Sequence, residues 1–209
     1  MKYFSLYLRC FALLACCVTL AACLSAQKRS QWTTLFDGTD LDHWVVVEGG
    51  EWSIEDGVLV GRNGQNWTTN PEKTGSWLRS KRMYSDFELE LEYAISENGN
   101  SGVFFRAGPN KNPAFTGYEM QITDCHGRDV SKYNAGIYDV VGPSKNMAKP
   151  AGEWNHAMIR AVGHTITITL NGETIVEHVG DRRLRGYIGL QNHDDRAVIK
   201  FRNVRVREL

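Results

Sequence analysis

The side chains best suited to chemistry lie in two stretches separated by a short connection. The first reads N-S-G-V-F-F-R and ends at Arg106, and the second, G-Y-E-M-Q-I-T-D, carries Glu119 and Gln121. Both stretches resemble strands, in which successive side chains point to opposite faces of a sheet. If these strands are neighbours, Arg106, Glu119 and Gln121 can meet on one surface, where a buried guanidinium needs an anionic partner. The same spacing fits a cross-strand ion pair that only stabilises the sheet, and the sequence leaves both interpretations open.

A carboxyl group on a strand suggests glycoside hydrolysis, which ordinarily uses two carboxyl groups flanking the scissile bond. The second stretch offers Glu119-x-Gln121-x-x-Asp124, so an amide stands where another acid would be expected. Asp124 would point to the opposite face from Glu119 unless a bulge intervened. Because Asp124 precedes Cys125-His126-Gly127, a role in a turn is as well supported as a catalytic role. An ordinary pair of acid and nucleophile is therefore not indicated.

The elements that must position these side chains are short strands joined by turns. Asn171-Gly172 is a strong hairpin signal and joins Thr165–Leu170 to Thr174–His178, while Asp56-Gly57 is a second one. No helical period of useful length appears in the sequence. Ten or more short strands with frequent turns predict an all-β protein, built as a sandwich of two antiparallel sheets.

Two further patterns predict details of these strands. Between Asp86 and Tyr93, apolar side chains alternate with Glu88, Glu90 and Glu92, which indicates a strand whose acidic face is turned to solvent. The apolar parity changes after Phe201, so we expect a bulge near Arg202-Asn203.

The first residues predict an export signal. Lys2 and Arg9 precede an apolar run of ten residues, too short for a membrane span of ~20 residues. Leu20-Ala21-Ala22-Cys23 resembles the lipobox of bacterial lipoproteins, with cleavage after Ala26 as the alternative. We expect a lipoprotein signal over residues 1–22, lipid on Cys23, a tether over 23–30 and one domain over 31–209. The predicted location is the bacterial cell envelope, with a lipid anchor in a membrane.

Composition excludes one class of partner and one source of stability. Lys and Arg total 24, as do Asp and Glu, so there is no basic excess of the kind that binds nucleic acid. Cys125 is the one cysteine left after the signal and Cys23 are set aside, which leaves no internal disulfide. Without an obvious base, Cys125 is interpreted as structural.

The chain resembles the 3-keto-disaccharide hydrolase domain family, formerly domain of unknown function 1080. The resemblance covers essentially residues 31–209 and implies a concanavalin-like jelly roll, export, and cleavage of 3-keto-glycosides by hydrolysis or by elimination and hydration. The chain departs from the family at Ala107 and Asp194. The motifs that carry the resemblance are L-F-D-G-T-D-L-D-H-W, W-S-I-E-D-G-V-L-V-G, N-S-G-V-F-F-R, G-Y-E-M-Q-I-T-D, A-G-I-Y, K-P-A-G-E-W-N, L-N-G, G-L-Q-N-H and F-R-N-V-R-V-R-E-L.

A 3-keto sugar would permit chemistry with one base, because the ketone acidifies the proton on C2 and the resulting enediolate expels the group on C1. The resemblance implies Glu119 or His193 as the base. The enediolate oxygen would be stabilised by Arg106 or by a divalent metal held by Glu119 and His193. Side chains expected to bind or orient the sugar are Gln121, Tyr138, Gln191, Asp124 and Trp67.

These expectations have alternatives. Each candidate also has a plainer interpretation: His193 lies in a polar turn, for example. The same type of sandwich also hosts lectin-like carbohydrate-binding modules without catalysis. A lipid-anchored interaction protein is a third interpretation, and it predicts an exposed apolar patch rather than a polar cleft. An enzyme instead predicts that Arg106, Glu119, Gln121 and His193 converge on one concave face.

Overall fold

A computed structural model describes residues 31–65, 72–125 and 134–209. Within these ranges the protein has thirteen strands and one short helix. The strands are β1 (Trp32–Phe36), β2 (Trp44–Val47), β3 (Glu51–Glu55), β4 (Val58–Arg62), β5 (Trp77–Tyr84), β6 (Phe87–Ile95), β7 (Asn100–Ala107), β8 (Tyr118–Thr123), β9 (Asn155–Val162), β10 (Thr165–Leu170), β11 (Glu173–Val179), β12 (Gly186–Gln191) and β13 (Ile199–Glu208); α1 is Pro113–Thr116.

The strands form two antiparallel sheets packed face to face. The eight-stranded sheet has the order β11-β10-β9-β6-β13-β4-β3, with β1 also paired to β13, and the five-stranded sheet has the order β2-β5-β12-β7-β8. The predicted all-β sandwich of two antiparallel sheets is therefore confirmed. No helix in the described ranges is long and apolar enough to cross a membrane.

The core lies between the sheets and is built by alternation along each strand. In β8, Tyr118, Met120 and Ile122 are buried in the core cluster, as are Val103 and Phe105 of β7. The residues between them must point away from the other sheet, because strand side chains alternate. We call this second surface of the five-stranded sheet the outer face. It carries the candidate site.

The predicted hairpins and bulge are present. Asn171 and Gly172 both have positive φ and link β10 to β11, as Asp56 and Gly57 do between β3 and β4. The register of β13 against β6 shifts between Arg202 and Arg205, and Asn203 has a φ of 53°, which confirms the bulge.

The acidic row on β6 is outward-facing, as predicted, but it is paired rather than open to solvent. The carboxylates of Glu90 and Glu92 accept hydrogen bonds from Arg205 and Arg202 at 2.8 and 2.5 Å, and Glu88 accepts from Arg207. The register of β6 against β13 places each acid directly opposite its arginine. Cross-strand pairs of opposite charge stabilise a sheet, and this is the role the row fills.

Candidate active site

Glu119 is the centre of the site because its carboxyl group is buried on the outer face. Only 2 % of the residue is exposed, although the position faces away from the core. β8 pairs with β7 so that Gly102 lies opposite Gln121 and next to Glu119 on the same face. A Cβ atom on Gly102 would lie 2.1 Å from Oε1 of Glu119. The glycine therefore provides the space into which the carboxyl group folds down over β7.

The environment of Glu119 favours its protonated form. Burial raises the pKa of Glu119 to about 8, against the smaller opposing effect of a hydrogen bond from the side chain of Gln191. Gln191 is 1 % exposed, and its carbonyl Oε1 is buried without a hydrogen-bond partner within residues 31–65, 72–125 and 134–209. A carboxyl that titrates near neutral pH is suited to proton transfer.

Polar and aromatic side chains surround this carboxyl group. Gln121 is buried beside it, and its amide donates to Oδ1 of Asn100 at 2.5 Å. The backbone N–H of Tyr138 donates to the carbonyl of Glu119 at 2.9 Å, which fixes Tyr138 at the edge of β8. The ring of Tyr138 packs against a buried outer-face cluster of Trp77, Phe104, Ala107 and Ala114, and its centroid lies 6.1 Å from that of the Phe115 ring. The structure thus brings Gln121, Gln191 and Tyr138 to the neighbourhood of Glu119.

Arg106 is placed elsewhere, which corrects the expectation that it lies beside Glu119. β12 pairs Gly189 with Phe104 but Tyr187 with Ala107, so β7 carries one extra residue there, and Arg106 has a φ of 51°. This bulge reverses the strand parity on which the expectation rested. The guanidinium donates to the carbonyls of Ser85 and Gly163 and to the carboxylate of Asp86.

These contacts give Arg106 a structural role. The side chain is 1 % exposed and joins the β5–β6 turn to the β9–β10 turn. Burial lowers the pKa of Arg106, against the opposing charge of Asp86. These hydrogen bonds satisfy N–H groups of a guanidinium that would otherwise be buried and unpaired.

His193 lies on the loop after β12, two residues beyond Gln191. Its Nδ1 is 2.7 Å from Oδ2 of Asp194, the residue by which the chain departs from the family. In the described ranges, no group of three or more His, Cys, Asp or Glu side chains is placed to hold a metal ion. A metal bound by Glu119 and His193 together stays a prediction.

Asp124 is the remaining sugar-binding candidate that the structure describes, and it caps a turn. Asp124 accepts a hydrogen bond from the N–H of Asn98 at 2.9 Å, and its own N–H donates to Gly99, so it closes the β6–β7 turn. This contact fits the turn interpretation of Asp124. Trp67 and Cys23 lie outside the described residues.

Sequence patterns missed three outer-face residues. Trp77 and Phe104 are fully buried there, with ring centroids 5.5 Å apart in an edge-to-face arrangement. Gly189 permits this contact, since a Cβ atom would lie 2.3 Å from the Trp77 ring. Arg79, two residues after Trp77, shares their face. The alternation of W-L-R in β5 indicates that Trp77 and Arg79 share a face of the sheet. It does not indicate which strands lie next to β5.

A different concave surface lies on the eight-stranded sheet. A pocket of about 360 Å³ beside the β13 bulge is lined by Glu90, Glu92 and His156, among others. Burial alone would raise the pKa of Glu90, but hydrogen bonds from His156 and Arg205 outweigh it and lower that pKa. Carboxylates held ionised by fixed partners are poorly suited to exchange protons at neutral pH. The proton-transfer chemistry therefore points to Glu119.

Comparison with known proteins finds a curated relative that matches most of the chain. The chain is 26 % identical over 230 aligned positions to a protein of Bacteroides thetaiotaomicron named 3-keto-disaccharide hydrolase, covering 85 % of this chain and 78 % of the relative. A solved structure of a presumed glycosyl hydrolase from Parabacteroides distasonis is 27 % identical, with a TM-score of 0.71, covering 86 % of this chain and all of the other.

A more distant structure shows only the shared fold. Carbohydrate-binding module CBM66 of Bacillus subtilis is 20 % identical with a TM-score of 0.57, over 79 % of this chain and 96 % of the module. A family model described as the 3-keto-alpha-glucoside-1,2-lyase-like domain matches residues 31–207. That match spans nearly the whole predicted domain, and the protein therefore belongs to the 3-keto-alpha-glucoside-1,2-lyase-like domain family.

Proposed function

We propose that this protein cleaves 3-keto-glycosides, with Glu119 as the group that transfers the proton. The observation that carries the proposal is one buried carboxyl group with a pKa of about 8 on the outer face. The description of the family and the name of the Bacteroides relative support a keto sugar as the substrate class.

The chemistry follows from the carbonyl group at C3. A base takes the proton from C2, and the electrons of that C–H bond form an enediolate. The enediolate then expels the oxygen substituent on C1, which leaves with a proton. Elimination ends at this unsaturated product, and addition of water across the new double bond completes a net hydrolysis. Each step needs a proton carrier rather than a pair of acid and nucleophile.

Glu119 suits this series of reaction steps because it can both accept and donate a proton. A carboxylate whose pKa lies near 8 is a stronger base than an ordinary surface carboxylate, whose pKa is about 4.3. Once it holds the C2 proton, the same group can donate a proton to the departing oxygen. Gln191 keeps the carboxyl group in place by donating to it, and Gln121 and Tyr138 lie beside it, where they would orient sugar hydroxyls.

The negative charge of the enediolate also needs a stabilising partner. Arg106 is held by Ser85, Asp86 and Gly163 and is not available for this task. A divalent metal held by Glu119 and His193 is the remaining candidate from the sequence. Assays with and without a chelator test it, since loss of activity on chelation that added metal restores would support a metal site.

A carbohydrate-binding module is the second candidate, because CBM66 shares this type of sandwich. A binder has no use for a carboxyl group that is costly to bury and to ionise. We therefore favour the enzyme. Incubation with methyl 3-keto-α-glucoside and with methyl α-glucoside distinguishes the two, since a binder converts neither compound.

Export and lipid anchoring are part of the same proposal. They rest on the apolar run before Leu20-Ala21-Ala22-Cys23. Mass spectrometry of the protein from its native membrane should find a lipid-bearing N-terminal Cys23. A mature protein that begins with unmodified Gln27 would rule the anchor out.

A further inference from the structure

Arg79 differs from the other arginines on the described strands. Eight arginines lie on strands, and seven of them form an ion pair with a carboxylate. Arg79 on β5 forms none in the described part of the chain. An arginine that lacks an anionic partner on a partly buried surface remains available to a ligand.

The contacts of Arg79 fix its side chain but leave part of the hydrogen-bonding capacity of its guanidinium unused. Its guanidinium carbon lies 4.7 Å from the centre of the Tyr187 ring, a cation–π contact. One terminal nitrogen is 3.4 Å from the carbonyl of Pro109, a long hydrogen bond, and the buried Nε has no hydrogen-bond partner among the described residues. An unpaired buried N–H is unfavourable, and such groups concentrate where a ligand completes them.

Arg79 and Glu119 occupy opposite ends of one row of residues on the outer face. Strand register puts Arg79, Gly189, Phe104 and Glu119 in one row across β5, β12, β7 and β8. Three strand spacings separate the ends of this row, about 14 Å between Cα atoms. Glu119 leans towards Gly102, whereas Arg79 leans the other way along the strands, towards Tyr187 and Pro109. A sugar ring at Glu119 would therefore not reach Arg79, but a second ring in line with it would.

An aromatic surface covers the space between them. Trp77, Phe104, Ala107 and Ala114 form a small buried cluster, and the rings of Phe115, Tyr138 and Tyr187 pack against it while half-exposed. Aromatic rings with one buried and one accessible side provide large apolar contact area for a ring-shaped ligand.

We propose that Arg79, with the surface formed by Phe115, Tyr138 and Tyr187, is the binding site for the sugar that leaves when a 3-keto-disaccharide is cleaved. This inference rests on the proposed function, and it adds a second subsite to the one at Glu119. Arg79 donates hydrogen bonds to hydroxyl groups of the leaving sugar, whose ring lies on the aromatic side chains. Arg79 is a specificity-determining residue and takes no part in proton transfer.

The test compares two substrates that differ only in the leaving group, 3-keto-maltose and methyl 3-keto-α-glucoside. We expect Arg79→Gln to lower the ratio of kcat/KM for 3-keto-maltose over the methyl glycoside about tenfold, mainly through KM for the disaccharide. Arg82→Gln is the matched control, since Arg82 lies on the same strand but is exposed and paired with Glu208. Arg79→Lys, which keeps the charge but not the planar fork, should lose part of the ratio.

An unchanged ratio in Arg79→Gln, or equal losses on both substrates in a folded Arg79→Lys protein, would overturn the proposal. If the wild-type protein cleaves neither keto compound, the proposed function fails separately. Calorimetric titration with maltose and methyl α-glucoside then decides the subsite. Tighter binding of maltose that disappears in Arg79→Gln supports it, and equal binding of both sugars by the wild type contradicts it.

Discussion

Replacing Glu119 by Gln should make the protein more stable, and increasingly so as the pH rises. The folded state raises the pKa of Glu119 from 4.5 to about 8, so between these values the unfolded chain has lost a proton that the folded protein still holds. Stability falls with pH wherever the folded state binds more protons than the unfolded state. The wild type therefore loses stability from about pH 4.5 to pH 8, and a glutamine that cannot ionise avoids this loss.

The expected size follows from the two pKa values. Each pKa unit corresponds to about 1.4 kcal/mol, so the advantage of Glu119→Gln should grow by roughly 3–4 kcal/mol between pH 5 and pH 8. Urea unfolding followed by tryptophan fluorescence at several pH values measures it. Glu177→Gln is the control, because Glu177 is an exposed acid on β11. A pH-independent difference between wild type and Glu119→Gln would refute the assignment of a buried, protonated carboxyl.

Three other substitutions or conditions test the same geometry. Between pH 6 and pH 8 the ionised fraction of Glu119 rises from about 1 % to about 50 %, so kcat/KM should rise about 50-fold if Glu119 is the base, and a falling profile would contradict that role. Gly102→Ala should lower kcat about 10²-fold in a folded protein, because the new Cβ displaces the Glu119 carboxyl; activity at the wild-type level would refute the contact. Arg106→Met should cost roughly 3 kcal/mol of unfolding free energy, by removing the charged hydrogen bonds that join the β5–β6 turn to the β9–β10 turn, while the folded variant keeps its kcat. A stable but inactive Arg106→Met protein would show that Arg106 takes part in the reaction.

The sequence predicts features that depend only on residues adjacent in the chain. The hairpins at Asp56-Gly57 and Asn171-Gly172 follow from the preference of such pairs for positive φ, and both are present. The parity change after Phe201 located the β13 bulge correctly. These signals are local, so one strand carries all the information needed to read them.

The sequence could not predict which strands lie side by side. Placing Gln191 against Glu119 requires β12 to lie beside β7, although the two strands are far apart in the chain. The bulge that turns Arg106 away had no change in apolar parity to mark it, since V-F-F-R continues as a plausible strand. The half-buried Trp154 packs against Arg202 of β13, whose guanidinium carbon lies 4.0 Å from the centre of its ring. The contacts that decide each of these positions come from distant segments.

The most direct test of the central claim is the conversion of methyl 3-keto-α-glucoside by purified wild-type protein and by Glu119→Gln, beside methyl α-glucoside as the parent compound. The proposed chemistry predicts that the keto compound is cleaved and the parent is not, because only the ketone makes the C2 proton acidic enough for a single carboxyl group. It also predicts that Glu119→Gln, which keeps the size but loses the proton-transfer group, is slower by on the order of 10²-fold or more. Equal cleavage of the two compounds, or full activity in a folded Glu119→Gln protein, would contradict it.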